Sequence, residues 1–158
     1  MRIRGLVDED FINYKIPSMF IIFPHCDWKC EKEAGCAMCQ NSALATSPTI
    51  EISAEEIIKR YLNDPITRVL VCGGLEPMDS FDDVVELIFT LRKNGCKDDV
   101  IIYTGYRKRE IIDKIEKLSL FGNIIMKYGR FVPNQMPHYD KILGVKLAND
   151  EQYGERIC

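Results

Sequence analysis

The sequence predicts an α/β fold: a single domain over 1–158, built on a parallel sheet, with too few units to close an eight-fold barrel. Two observations carry that expectation. Short apolar runs that end at Pro or Gly alternate with longer stretches whose apolar residues recur at helical spacing. The longer stretches run to about 10–15 residues, long enough to cross over a sheet and return the next strand parallel to the last. No internal repeat or low-complexity linker divides the chain.

Ser18 to Phe23 reads as a buried strand that Pro24 ends, and a cysteine-rich loop over 24–42 follows it. Ser53-Ala54-Glu55-Glu56 is a capping box, in which serine and glutamate satisfy the first free amides of a helix. Ile57, Ile58, Tyr61 and Leu62 give that helix its apolar face, and Asn63-Asp64-Pro65 stops it. Thr67 to Cys72 is a second strand, closed by Gly73-Gly74. Ser80 caps a longer helix with Val84, Val85, Leu87, Ile88 and Leu91 at its apolar positions, ending at Asn94-Gly95. Asp99 to Tyr103 is a third strand, Arg107 to Leu118 a third helix, and Asn123 to Met126 a fourth strand. Beyond Gly129 the pattern weakens, and Leu143 to Leu147 reads as one more short strand. In parallel sheets ligands gather at the carboxyl ends of the strands. The cysteine loop, Gly73-Gly74 and Thr104-Gly105 each follow a strand, so they are expected to meet at one edge.

Composition excludes several classes. A chain of 158 residues, 46% apolar, is large enough to bury a core. A net charge of −3 and the lack of a basic stripe give no case for nucleic acid binding. No apolar run approaches the roughly 20 residues of a membrane helix, and Met1-Arg2-Ile3-Arg4-Gly5-Leu6 leads into acidic residues rather than an apolar targeting segment. The expected location is cytoplasmic, where thiols stay reduced and clustered cysteines read as metal ligands. Seven cysteines, an odd count, also argue against a complete disulfide framework.

Four of those cysteines fall in Cys26-Asp27-Trp28-Lys29-Cys30 and Cys36-Ala37-Met38-Cys39-Gln40-Asn41. One reading is a structural zinc site on all four, although zinc thiolate sites favour two tight C-x2-C pairs. The other is an iron–sulfur cluster in which three thiolates leave one iron open to a further ligand. Val71-Cys72-Gly73-Gly74-Leu75-Glu76-Pro77 joins a glycine pair to a carboxylate. Bare backbone there suits a cationic amine: exposed carbonyls accept its protons while Glu76 neutralises it. The segment is not a phosphate loop, because the glycine pattern and the following lysine are missing.

Together these two segments resemble the radical S-adenosylmethionine superfamily, and within it the activating proteins of anaerobic ribonucleoside-triphosphate reductase. The resemblance covers most of the chain. Cys26-x3-Cys30 matches the first half of the family's C-x3-C-x2-C loop, and Cys39-Gln40-Asn41 its last cysteine and the asparagine two positions on. Gly73-Gly74-Leu75-Glu76-Pro77 resembles the glycine–glycine–acid–proline element, with Leu75 as an extra residue. Tyr103-Thr104-Gly105-Tyr106, Gly129-Arg130-Phe131 and Leu143-Gly144-Val145-Lys146-Leu147 also match segments of these activases. Eight residues rather than two separate Cys30 from Cys39, so Glu31 to Met38 contains an insertion relative to the family loop, and either Cys30 or Cys36 is the second ligand. The polar–aromatic–basic filling of Asp27-Trp28-Lys29 favours Cys30.

The resemblance implies a partial (β/α) barrel of the radical S-adenosylmethionine type. It implies a [4Fe–4S] cluster on Cys26, Cys30 and Cys39, and S-adenosyl-L-methionine held by Met38, Gly73, Gly74, Glu76 and Thr104. It implies an oxidoreductase that generates a glycyl radical on a partner, the anaerobic ribonucleoside-triphosphate reductase or another glycyl radical enzyme, and that is fed by an electron donor such as flavodoxin or ferredoxin. A non-catalytic zinc- or cluster-binding interaction module, or a radical enzyme with a different substrate, is the alternative. The remaining residues read more plainly. Cys72 and Cys96 are small core residues, and Cys158 is free. His25 either hydrogen-bonds toward the cluster or is a solvated loop residue. His138 lies in a surface loop, and Asp79, Asp82 and Asp83 are favourable charges at a helix start.

Overall fold

The computed structural model describes residues 1–158. The strands are β1 (Arg2–Ile3), β2 (Gly5–Asp10), β3 (Ser18–Phe23), β4 (Ile50–Glu51), β5 (Val69–Gly74), β6 (Asp99–Tyr103), β7 (Ile124–Tyr128), β8 (His138–Asp140), β9 (Val145–Leu147) and β10 (Tyr153–Arg156). The helices are α1 (Lys29–Ala34), α2 (Ala54–Asn63), α3 (Phe81–Lys93) and α4 (Ile112–Ser119). Six strands form one open sheet in the order β10-β7-β6-β5-β3-β2. The four central strands are parallel, β3 to β5, β5 to β6 and β6 to β7. Both edges are antiparallel, β2 on β3 and β10 on β7.

The edge strands are absent from the sequence reading, for a physical reason. Gly5–Asp10 is GLVDED and Tyr153–Arg156 is YGER, polar segments without an apolar run. Edge strands carry such residues because one long side has no neighbour to bury it. Two small pairs complete the topology, β1 with β4 and β8 with β9. His138, expected in a loop, opens β8.

The central strands are buried on both faces, which is why they read as continuous apolar runs. Leu70 and Cys72 of β5, Val100 and Ile102 of β6, and Ile124 and Met126 of β7 join the helices in a cluster of 23 buried residues. The intervening Val69, Val71, Ile101 and Ile125 point the other way, into a smaller cluster of 7 with Tyr14, Leu143 and Leu147. That second face is covered by loop and C-terminal chain rather than by helices. Further along it, Gly73, Tyr103 and Lys127 follow Val71, Ile101 and Ile125 toward the carboxyl edge, where Tyr103 pairs with Lys127 across the strands.

Local chemistry fixes the helix ends. The Ser53 side chain accepts from the Glu56 amide at 3.1 Å and starts α2. Asp64 accepts from the amides of Ile66 and Thr67 and turns the chain into β5. Arg92 near the end of α3 donates to the carbonyls of Cys96, Asp98, Phe121 and Gly122, fastening that helix to the two loops that lead into β6 and β7. The third predicted helix is shorter than expected. A 3-10 turn occupies Lys108–Glu110, and α4 begins only at Ile112, because Glu110 folds back to accept from the Arg107 amide. Ser80 likewise makes no side-chain cap; a 3-10 turn over Pro77–Ser80 precedes α3 instead. No helix is long and apolar enough to cross a membrane.

Candidate metal centre

The cysteine loop leaves the carboxyl end of β3 and is tied at both ends to the neighbouring strand. At its start, the Glu76 amide donates to the His25 carbonyl at 2.7 Å. At its end, the Asn41 side-chain amide donates to the Gly74 carbonyl at 2.7 Å. Trp28, with φ 61°, turns the chain into α1, which carries Cys30. Gly35, with φ 67°, ends that helix. Glu31 then draws the insertion back, its carboxylate accepting from the amides of Met38 and Cys39 at 3.0 and 2.9 Å.

This folding brings Cys26, Cys30 and Cys39 onto the wall of one cavity of about 370 Å³, together with Gly74, Glu76 and Thr104. Cys36, Met38 and Gly73 are not on that wall. Cys36 is exposed on the insertion. The Met38 backbone amide donates a hydrogen bond to the Glu31 carboxylate. Gly73 is bare for packing, since a Cβ there would lie 2.8 Å from the Phe20 ring.

The donor set fits an iron–sulfur cluster. The amides of Trp28 and Phe131 point at the sulfurs of Cys26 and Cys30, at 3.3 and 3.4 Å, the kind of N–H···S contact that stabilises cluster thiolates. Burial pushes the Cys26 thiol up to about 12; the Trp28 amide opposes this, and Glu76, Asp79 and Asp27 add to it. Burial also raises Cys39. The polypeptide alone therefore favours thiols at both positions, and a metal centre supplies the positive charge that converts them to thiolates. At Gly105 a Cβ would lie 3.3 Å from the Cys30 sulfur, so bare backbone lets the Thr104-Gly105 turn close onto the loop.

Glu76 is the knot of the site. It is 6% exposed. One carboxylate oxygen accepts from the Met78 amide at 3.0 Å and the Thr104 hydroxyl at 2.7 Å, and the other from the Gly105 amide at 2.8 Å. Burial outweighs these three donors and pushes its carboxyl up to about 7. The side chain thus binds β5 to the turn after β6, while its amide holds the cysteine loop. Gly74 is a glycine for local reasons too. Its φ is 82°, and a Cβ would lie 2.5 Å from the Ile22 side chain. Its carbonyl is already taken by Asn41.

Three features of the surroundings escape sequence reading because their partners are distant in the chain. Asp79 accepts from the Asp27 amide at 2.9 Å and the Tyr106 hydroxyl at 2.6 Å, so it anchors the cysteine loop as well as opening a helix. Lys29 pairs with Asp27 and lies 4.2 Å from the centre of the Tyr106 ring. Glu33 of the insertion helix binds both Arg107 and Arg130 at 2.9 Å, and Arg130 also binds Glu110 at 2.7 Å and the Gly105 carbonyl. The matching arginines lie more than seventy residues from Glu33. Lys127 also lines the cavity wall. It lies one residue past the strand read over Asn123 to Met126, and nothing local distinguishes its ammonium from a surface one.

A family model described as a 4Fe-4S single cluster domain matches residues 18–147. No curated protein matches the chain.

Proposed function

The chain belongs to the 4Fe-4S single cluster domain family, and on that premise we propose that it is a radical S-adenosylmethionine enzyme that installs a glycyl radical on a partner protein. The single observation that carries this reading is the division of the loop cysteines. Cys26, Cys30 and Cys39 face one cavity, while Cys36 is exposed and outside it. Three thiolates would leave one iron of a four-iron cluster without a protein ligand, and a cluster held there would share the cavity of about 370 Å³ with whatever ligand that iron takes. A zinc site on all four cysteines would need Cys36, which stands outside.

In this reading Cys26, Cys30 and Cys39 hold the cluster. When bound, the cluster supplies one electron for reductive cleavage of S-adenosylmethionine to methionine and a 5′-deoxyadenosyl radical. The protein's part is to place the cofactor. Glu76 and Thr104 shape the cavity beside the thiols, and Glu76 keeps the β5 and β6 ends together. In its ionised form Glu76 would add negative character to the cavity that a cationic ligand would occupy. The fold proposal that accompanies this is a partial barrel, with β3, β5, β6 and β7 as its parallel staves. The partner is a glycyl radical enzyme, with the anaerobic ribonucleoside-triphosphate reductase as first candidate, and flavodoxin or ferredoxin is the electron donor.

The test begins with anaerobic reconstitution, followed by iron and sulfide counting and chromatography for 5′-deoxyadenosine after reduction. The reading expects cleavage of S-adenosylmethionine that depends on reductant. Adding a co-encoded glycyl radical enzyme should then give a glycine-centred EPR doublet. An intact cluster with no cleavage under any reductant would leave a cluster-binding interaction module. Cleavage without a glycyl radical on any co-encoded partner would retain the radical chemistry and discard the activase.

A further inference from the structure

Lys127 is the one cationic side chain on a cavity wall whose other charged or readily ionised groups are three cysteines and Glu76. It is 7% exposed. Its ammonium has a single hydrogen bond, a long one of 3.4 Å to the Gly129 carbonyl. It forms no ion pair with Glu76, whose oxygens are occupied by Met78, Thr104 and Gly105. A buried ammonium with so little compensation is costly. An apolar residue would avoid that cost, like the buried Ile125 two residues back on the same face of β7.

We propose that Lys127 is the counter-charge of the cluster, raising its reduction potential by stabilising the reduced state from across the cavity. A four-iron cluster on three thiolates is an anion, and reduction adds a further negative charge. In a site of low dielectric, that charge is opposed by the thiolates and by Glu76 and relieved by the nearest cation. Lys127 holds its place because β7 delivers it to the carboxyl edge of the sheet in register with Tyr103, with the Tyr103 ring 5.9 Å from its nitrogen. Glu76 and Cys26, Cys30 and Cys39 line the same cavity wall, so the ammonium's field falls on the cluster ligands. The proposal rests on the family's cluster alone and is independent of the S-adenosylmethionine reading.

The test uses the full chain carrying its cluster, without S-adenosylmethionine. The variants are Lys127→Met, Lys127→Gln and Lys127→Arg. The cluster midpoint is measured by redox titration followed by EPR and absorbance. The expected result is a midpoint more negative in Lys127→Met and Lys127→Gln, by about tenfold in the reduction equilibrium, or about 59 mV for one electron. Lys127→Arg should stay near the parent. An unchanged midpoint in the neutral variants overturns the proposal, as does an equal negative shift in Lys127→Arg. Where the neutral variants hold no cluster but Lys127→Arg does, the charge is required and the proposal stands. Loss of the cluster in all three assigns Lys127 to packing and overturns it.

Discussion

Replacing Glu76 by Gln tests whether this carboxyl knots the site in the manner of its geometry. The Gln side chain has nearly the same shape, keeps one acceptor oxygen and turns the other position into an NH2 group. With the oxygen on Met78 and Thr104, the NH2 faces the Gly105 amide, which then has no acceptor. A buried donor left unpaired costs about 1–3 kcal/mol. The parent has a second property that the variant lacks. Its Glu76 carboxyl sits at about 7 in the fold, above the ordinary 4.5. The folded state therefore binds the proton more tightly than the unfolded chain. The stability this contributes is fully present below about pH 4.5 and is lost as pH rises through 7. Working the linkage between those two values gives a loss of about 2 kcal/mol from pH 5 to pH 7 in the parent. Urea unfolding of both proteins at several pH values reads both effects. Glu76→Gln should be less stable by about 1–3 kcal/mol at pH 5, with the gap narrowing toward pH 7. Parallel pH profiles would refute the titration, and equal stability at pH 5 would refute the role of the three donors.

Other outcomes follow from the same geometry. Ala at Cys26, Cys30 or Cys39 should abolish the intact cluster, and Ala at Cys36 should leave it, as read by iron counting and EPR after reconstitution; cluster loss in Cys36→Ala with retention in Cys30→Ala would reverse the ligand assignment. Gly74→Val places a branched side chain at φ 82° against Ile22. It should cost about 1–3 kcal/mol in backbone strain alone and lower melting temperature and cluster content together, whereas normal iron content with only cofactor binding lost would return Gly74 to a direct ligand role. Arg130→Met removes the guanidinium that joins Glu33, Glu110 and the Gly105 carbonyl. It should open the insertion over 31–38 to limited proteolysis while α2 and α3 stay protected; an unchanged cleavage pattern would show that Arg107 suffices.

The central strands, the cysteine loop and the meeting of three strand ends were legible in the sequence, since each rests on local chemistry. Ser18–Phe23 and Val69–Cys72 are apolar because both faces of the sheet are buried, and Ser53 with Glu56 closes a helix start within four residues. The spacing of Cys26 and Cys30 marks a metal loop whatever surrounds it. Other features were decided only when distant segments met. The edge strands β2 and β10 carry too little apolar pattern to be read, and their place comes from backbone pairing with β3 and β7. Spacing leaves Cys30 and Cys36 as alternatives for the second position; the fold puts Cys30 on the cavity wall, while Glu31 draws the Met38 and Cys39 amides inward and leaves Cys36 in solvent. Gly73 and Gly74 could be seen as bare backbone, but that one makes room for Phe20 and the other for Ile22 depends on the neighbouring strand. Glu76 shows the limit most plainly. Its residue type suggests a charge for a ligand, yet its charge state follows from burial and three donors, two of them supplied by a turn some thirty residues away. Periodicity and spacing report what a residue meets within one element, whereas desolvation and long-range hydrogen bonds exist only once the sheet has brought those elements together.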